Sequence, residues 1–419
     1  MRRRHLQRGG VFIITIGVLA GLVAILAAAA ATQKVNFDAV TNRMQERRAY
    51  HAALSGVQRA LAEFTDQDQN LTTLQDNWAL LGDANGAQNF VVGTDSFRIQ
   101  VVDASSFINL NTATQAQLEK LPLTNEQVDC LLDWRESNLQ PRADGAKDEY
   151  YNQLTTPYNA KLRALDSIDE LLLVKGFTAK AIFEPQTDVV NTATVLPVKA
   201  NGEQPSLYDL VTVDSTSKNV NSTGTALRNI TSLTNPNQLV QLGIQQPAAT
   251  LIFAARASMT TYSAMLQQAG TVENAKILVN NFQPTGATTS TGKINVNTAG
   301  EAVLDSVADL PPDVASAIVS RQSTGFTQLG DLFDIPGFTL QVGQQTMDQF
   351  TTNSQSFLAR VVGKTGDTTV SVEAVISLTE TGPKLLKLYK TPLGDMSTRW
   401  GWVDVTTSET VLKEATSGQ

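Results

Sequence analysis

Imidazole, thiol and carboxylate groups are the side chains best able to do chemistry near neutral pH, and this 419-residue chain supplies them unevenly. Its two histidines, His5 and His51, lie in or near an apolar N-terminal segment, so the body has no imidazole for acid–base or triad work. Its single cysteine, Cys130, allows no intramolecular disulfide and, within EQVDCLLDW, reads as a small buried hydrophobe. Carboxylates occur as adjacent pairs, Asp148-Glu149 and Asp169-Glu170, without the spaced partners that an acid–base or metal site needs, and read as solvated faces. No phosphate loop, nucleophile elbow, zinc spacing or Gly-rich dinucleotide turn is present. An enzyme is not expected. The formal charge of −8 makes the body a poor polyanion binder, because nucleic-acid affinity rests on neutralised phosphates.

The elements that position the body begin with residues 8–31, RGGVFIITIGVLAGLVAILAAAAA. A basic head (Arg2, Arg3, Arg4, Arg8) leads into Gly9-Gly10 and then 21 uncharged residues from Val11 to Ala31. As a helix this run is about 31 Å long, enough to cross a bilayer core of about 30 Å. The small pair precedes the apolar core instead of following it, the reverse of an ordinary signal peptide. A cut after Gly10 removes the leader with its four arginines, leaves the apolar helix at the new N-terminus and takes the charge to −12. An uncleaved anchor and an export signal are the alternatives. The leader's arginines predict that the N-terminus is cytoplasmic and the body lies outside. Tyr50, Leu54, Val57, Leu61 and Phe64 recur at helical spacing, which extends one helix from about Val11 to Phe64, apolar all round at first and amphipathic later.

Phe90 to Val102 reads as one or two strands. The signature Ile108-Asn109-Leu110-Asn111-Thr112-Ala113 follows, and Ile294-Asn295-Val296-Asn297-Thr298-Ala299 repeats it at five of six positions. In each copy an Asn or Thr is placed to cap a short helix, a proline ends that helix (Pro122, Pro311), and a second helix follows, Glu126 to Arg135 and Asp313 to Arg321. This is a helix-hairpin-helix pattern, with a weaker third unit over Pro236 to Arg256. The turns after the first helices hold prolines where a phosphate-binding hairpin needs glycines, and Asp313 would face the phosphate. A structural role is favoured over DNA binding. A polar loop from Asp133 to Asn159 leads into a capped helix at Ser167 that ends at Gly176, and Phe326 to Thr339 ends in the same way. Pro284 to Gly292 reads as a linker, and Phe357 to Pro392 as three antiparallel strands.

The inverted anchor, the strand before I-N-L-N-T-A, the D-W segment, the D-G-A…Y-Y loop, P-Y-N and D-E-L-L-L-V-K-G-F-T occur in the order that resembles the K-type minor pseudopilins of the type II (general) secretion system. The resemblance covers Arg8 to Thr178 and Lys293 to about Pro392, while Ala179 to Gly292 matches poorly and resembles an enlarged helical insertion. It implies an α+β, pilin-like fold: a long N-terminal helix packed on an antiparallel sheet, with a large inserted α-helical domain of helix-hairpin-helix or SAM-like type. The expected divisions are a leader at 1–10, a spine at 11–64, first sheet strands at 65–107, a helical module at 108–185, an enlarged central region at 186–292, a second module at 293–350, C-terminal strands at 351–405 and a disordered tail at 406–419.

The resemblance also implies cleavage between Gly10 and Val11 by prepilin peptidase, with N-methylation of the new terminus. The fifth residue after that cut is Thr15, where other pseudopilins carry the Glu that pairs with a neighbour's N-terminal amine, as suits a subunit at a fibre tip. Implied partners are the I-, J- and H-type minor pseudopilins, the major pseudopilin and the inner-membrane assembly platform. The stripe Tyr50, Leu54, Val57, Leu61 and Phe64 is the surface expected to meet neighbouring spines. Calcium is the implied cofactor, with Asp144, Asp148 and Glu149 as oxygen donors, although Arg142 stands where another acid would help. A membrane-tethered DNA receptor of competence type and a minor pilin of a type IV system are the alternative readings.

Overall fold

The computed structural model describes residues 8–83, 86–185, 204–390, 400 and 402. Residues 1–7 of the leader, residues 186–203 of the central region and the tail expected beyond 406 lie outside the described residues. Helix α1 (Arg8–Glu63) is 56 residues long, about 84 Å at about 1.5 Å per residue. It runs unbroken because neither Gly nor Pro interrupts the chain between Gly21 and Gly56.

Among the described residues one antiparallel sheet carries the body. Its strands are β1 (Gly82–Asp83), β2 (Gly86–Val92), β3 (Asp95–Asp103), β4 (Ser356–Thr365), β5 (Thr368–Thr379) and β6 (Gly382–Lys390), paired in that order. The fold is α+β and pilin-like, a long N-terminal helix on an antiparallel sheet. Strands β3 and β4 pair directly, Asp103 opposite Phe357 and Ser96 opposite Lys364, although some 250 residues separate them. The helical insertion therefore leaves and returns at one end of two neighbouring strands. The expected strands are found, and the two-residue β1 is an addition to them.

α1 meets the sheet through small side chains. Ala49, Ala53, Gly56, Val57, Ala60 and Phe64 are buried against alternating residues of β3, β4 and β5, among them Phe97, Ile99, Ala359, Val361 and Val372. Phe64 and Trp78 close the upper end around Phe357, with ring centroids 4.4 and 5.1 Å from it. A Cβ on Gly363 would lie 1.9 Å from the Ala49 carbonyl oxygen and 2.5 Å from the Ala53 nitrogen, and one on Gly56 would lie 2.5 Å from Val361 Cγ1. The expected stripe is thereby corrected. Val57 and Phe64 belong to this internal core, and Tyr50 and Leu61 pack half-buried along its edge, because a sheet close enough to touch the helix backbone recruits the small face first.

The insertion contains two modules built alike. In the first, α2 (Gln115–Leu118) and α3 (Asn125–Arg135) follow the signature; in the second, α4 (Glu301–Asp305) and α5 (Pro312–Arg321) do. The Asn111 side chain accepts the Leu165 N–H at 2.7 Å and donates to the Leu165 carbonyl at 3.0 Å and the Val213 carbonyl at 3.2 Å. Asn297 does the same with Phe326 N–H (2.7 Å), Phe326 carbonyl (3.0 Å) and Thr352 carbonyl (3.4 Å). A primary amide carries an acceptor and a two-proton donor side by side, so Asn clamps both polar groups of a buried loop residue. The preceding Asn of each copy accepts the next-but-one N–H on its side chain, Asn111 N–H at 2.8 Å and Asn297 N–H at 3.1 Å. Each signature also pairs in parallel with a returning segment, Ile108–Asn109 with Val211–Thr212 and Ile294–Asn295 with Phe350–Thr351.

Asp103, at the end of β3, joins sheet to insertion. Its fully buried carboxylate accepts from Ser105 N–H (2.8 Å), Asn295 Nδ2 (2.9 Å) and Thr298 Oγ1 (2.6 Å), and burial pushes its carboxyl above the ordinary value despite these donors.

Several local expectations change. The first-copy helix is capped by Thr114 and the second begins at Gly300 without a side-chain cap, so the signature's own Asn and Thr serve other bonds. The segment after Ser167 is a 3-10 turn, Ile168–Leu173, and Ser167 makes no cap bond; Glu170 takes the Asp166 N–H instead, at 2.9 Å. The run 284–292 is no free linker, since Thr289–Thr291 pairs with Thr216–Lys218 and Asn219 Nδ2 donates to the Ala287 carbonyl at 2.9 Å. The third helix pair is present as Asn237–Val240 and Gln246–Ala255.

Gly363→Val is expected to destabilise the body by about 3 kcal/mol, because the new side chain meets helix backbone that cannot move aside. Chemical denaturation of the purified chain reads this, and a variant as stable as the parent would refute the close approach of helix and sheet.

Candidate functional site

The residues able to meet partners lie on the part of α1 that this chain leaves uncovered. Gly10 is exposed, with no heavy atom within 4 Å of an added Cβ, and its bond to Val11 lies near the start of α1. The helix is apolar and long enough to cross a membrane, and its most apolar window is not covered by the rest of the chain. Above that window Phe37, Val40 and Met44 are 72, 54 and 58% exposed and lie at steps of three and four on one side of the helix. Counted around the helix, that side is opposite the small face that grips the sheet. Ion pairs fix the helix laterally: Arg48 to Asp95 at 2.7 Å and Glu46 to Lys390 at 2.5 Å, with the hydrogen bond and charge of Lys390 holding the Glu46 carboxyl below its usual value.

The polar loop after α3 was the expected calcium site, and the structure corrects that expectation. Asp133, whose side chain is fully buried, accepts from the Arg142 guanidinium at 3.0 Å and from the Arg142 N–H at 3.0 Å, with Lys147 Nζ 3.9 Å away. Arg142 also pairs with Glu136 at 2.8 Å, and Lys147 donates to the carbonyls of Asp133 and Glu136. Burial works against the Arg142 charge, but its hydrogen bonds to Glu136 and Asp133 outweigh it, and burial pushes the Lys147 amine down.

The three proposed ligands are turned to other tasks. Asp148 Oδ1 accepts the Ala160 N–H at 2.7 Å; Asp144 is exposed and contributes its backbone, N–H to Asp129 Oδ2 at 3.1 Å and carbonyl to Cys130 Sγ at 3.4 Å; Glu149 is exposed. Among the described residues no three acids, histidines or cysteines gather as a metal set. The donor set does not fit calcium, because the loop's buried carboxylate already has two cations of the chain itself. Beneath the loop Trp134, Tyr151 and Tyr158 pack together, with Trp134 and Tyr158 each within 5.3 Å of Tyr151, and Trp134 Nε1 donates to Glu170 at 2.8 Å. Cys130 is buried, and desolvation raises its thiol to about 12, so it stays a protonated hydrophobe.

Each module holds a glycine turn at the ending that the sequence marks with G-F-T. Gly176 and Gly337 both have φ of +84°, and in each the following G-F-T threonine caps a short helix through the N–H of Ala181 or Val342. The repeated G-F-T was the available signal. A carboxylate oxygen stands at each turn, Glu126 Oε2 at 3.8 Å and Asp313 Oδ2 at 3.5 Å from a Cβ built on the glycine, where it repels a phosphate. Asp103 was missed, although an Asp before Ala-Ser-Ser is a cap signature.

Residues 99–184 match the family model described as Type II secretion system (T2SS), protein K. Over 200 residues the chain is 26% identical to Type II secretion system protein K of Klebsiella pneumoniae, 42% of this chain and 60% of that protein, so the match spans three-fifths of the relative's length. A chain of the crystal structure of the GspK-GspI-GspJ complex from enterotoxigenic Escherichia coli aligns with a TM-score of 0.43 at 14% identity, covering 84% of this chain and 99% of that chain.

Asp133→Ala leaves Arg142 and Lys147 without their buried counter-charge, and a loss of about 3–5 kcal/mol is expected in thermal or chemical unfolding. A chelator should leave the parent's melting temperature where it was. A fall of several degrees on chelation would restore the metal.

Proposed function

We propose that this chain is a K-type minor pseudopilin of a type II secretion system, a structural subunit at the tip of the pseudopilus. It is cleaved after Gly10 by prepilin peptidase and methylated on Val11, and it lies in the inner membrane with its N-terminus cytoplasmic and its body periplasmic. Its work is assembly. It nucleates the fibre with the I- and J-type minor pseudopilins, with the H-type and major pseudopilins following below it on the inner-membrane platform. The insertion between β3 and β4 crowns the sheet and blocks further addition above.

The observation that carries this reading is the single continuous helix of 56 residues, bare along its first part and gripped by its own sheet along its last. A bare apolar helix above a membrane span is covered by something, and neighbouring spines are the cover that the family resemblance supplies. Phe37, Val40 and Met44 form the docking stripe in place of Val57 and Phe64, which are buried in the chain's own core. Tyr50, Leu54 and Leu61 continue the contact along the upper edge. Thr15, in place of an acidic residue, spares the subunit a charge in the bilayer and leaves it no carboxylate with which to dock beneath another copy.

Two measurements test this. Gly10→Leu should leave the leader on the membrane-bound protein, read by N-terminal sequencing, and normal processing in that variant would exclude the proposed bond. Val40→Asp with Met44→Asp should lower co-purification of the I- and J-type subunits about tenfold while the body keeps its melting temperature, since neither side chain packs on the body. Undiminished co-purification would place the partners on another face.

A further inference from the structure

The two copies of the signature are preceded by residues of opposite character. Phe107 stands before Ile108 and packs on the apolar core of the insertion, whereas Lys293 stands before Ile294 at the equivalent point of the second copy. A module therefore folds with an apolar ring at this position, and an ammonium is not needed to build it. Burying one is unfavourable unless a partner answers its charge.

Lys293 is partly buried, with its ammonium 4.6 Å from the ring centre of Tyr262, and among the described residues it makes no hydrogen bond or ion pair. The acid whose charge reaches it is Asp348. Both oxygens of that carboxylate are already engaged, by the Tyr262 N–H at 2.8 Å and the Ser263 N–H at 3.0 Å. Burial pushes the Lys293 amine down to about 8, against the opposing pull of Asp348.

Lys293 and Tyr262 line a narrow cleft of about 20 Å³, room for one water-sized group. Its other walls come from Lys218, from Asn280 at the end of the helix Val272–Asn281, and from the strand Phe350–Thr351. No carboxylate lines it. What it offers are donors. Tyr262 is only 3% exposed, and its hydroxyl has no partner among the described residues. Asn280 accepts the Gly330 N–H on Oδ1 at 2.8 Å, while its Nδ2 donates to no group among the described residues. An ammonium, a hydroxyl and an amide N–H, all uncommitted and faced by no acid, make the electrostatics of an anion site.

We propose that this cleft is a binding site for one small monovalent anion of halide size, chloride, held by the Lys293 ammonium with the Tyr262 hydroxyl and the Asn280 amide as further donors. The width of the cleft admits a single atom or a water-sized group, which sets a halide apart from sulfate or gluconate. The anion supplies the counter-charge that Asp348 does not, and ties the helix Tyr262–Gln267 to the start of the second signature. It is a structural ion of the second module.

The test uses the full chain in dodecyl maltoside micelles, with sodium gluconate as the background salt and chloride as the probe. Chlorine NMR linewidth should broaden saturably with the parent, at least about threefold more than with Lys293→Phe, which carries the residue of the first copy. Bromide should displace the bound ion and sulfate should not. Tyr262→Phe, which removes only the hydroxyl, should also reduce the broadening. Replacing gluconate by chloride at constant ionic strength should raise the melting temperature of the parent by about 2 °C relative to the same exchange in Lys293→Phe. Should Lys293→Phe lose its native circular dichroism, Tyr262→Phe carries both comparisons. Broadening equal in parent and variants, displacement by sulfate as readily as by bromide, or a melting temperature that answers chloride alike in parent and variant overturns the proposal.

Discussion

The distance between α1 and the sheet is the constraint on which the body depends. Gly363 leaves room for the Ala49 carbonyl, Gly56 leaves room for Val361, and Ala49, Ala53 and Ala60 keep the interface thin. Helix backbone and sheet then touch over several turns, with dispersion contacts on both sides. A helix gripped along one face by its own sheet is held rigid at its upper end, and its lower end projects as a rod. Everything proposed for the spine as an assembly element follows from that rigidity.

The insertion is tied to the sheet by polar groups, not by a continuation of the apolar core. Asp103 receives donors from Asn295 and Thr298 of the second module, and Asn111 and Asn297 clamp equivalent loop residues in two modules of different size. Buried polar networks whose donors and acceptors are all matched specify one arrangement, because any slip leaves a polar group unpaired in a dry interior. The duplicated signature therefore marks a duplicated clamp. Its Asn residues fix the geometry of the loops they hold.

Charge is handled in the same internal way. The polar loop beyond α3 carries a buried aspartate whose counter-ions, Arg142 and Lys147, come from the loop itself, so the loop closes without an external cation. On the outer sheet face the buried Arg360 pairs with a mostly buried Glu373 beneath aromatic rings. In both places a guanidinium, with its fixed fork of donors, meets a carboxylate largely withdrawn from solvent.

Local pattern by itself determined the apolar rod, the strands around Phe90 and after Phe357, the two short-helix pairs and their common signature, and the poverty of catalytic groups. Each of these is written in neighbours a few residues apart, where periodicity and turn chemistry act. The tertiary structure decided which face of α1 is spent on the chain's own sheet, that Asp144, Asp148 and Glu149 do not converge, that Thr289–Thr291 within the 284–292 run pairs as a strand, and that Trp400 and Trp402 return to the sheet. Val57 and Leu61 look alike in a helical stripe, yet one is buried in the core between helix and sheet and the other packs half-buried against it. The stripe shows spacing along one helix, and only the approach of a strand more than 300 residues further on decides which side of it is buried.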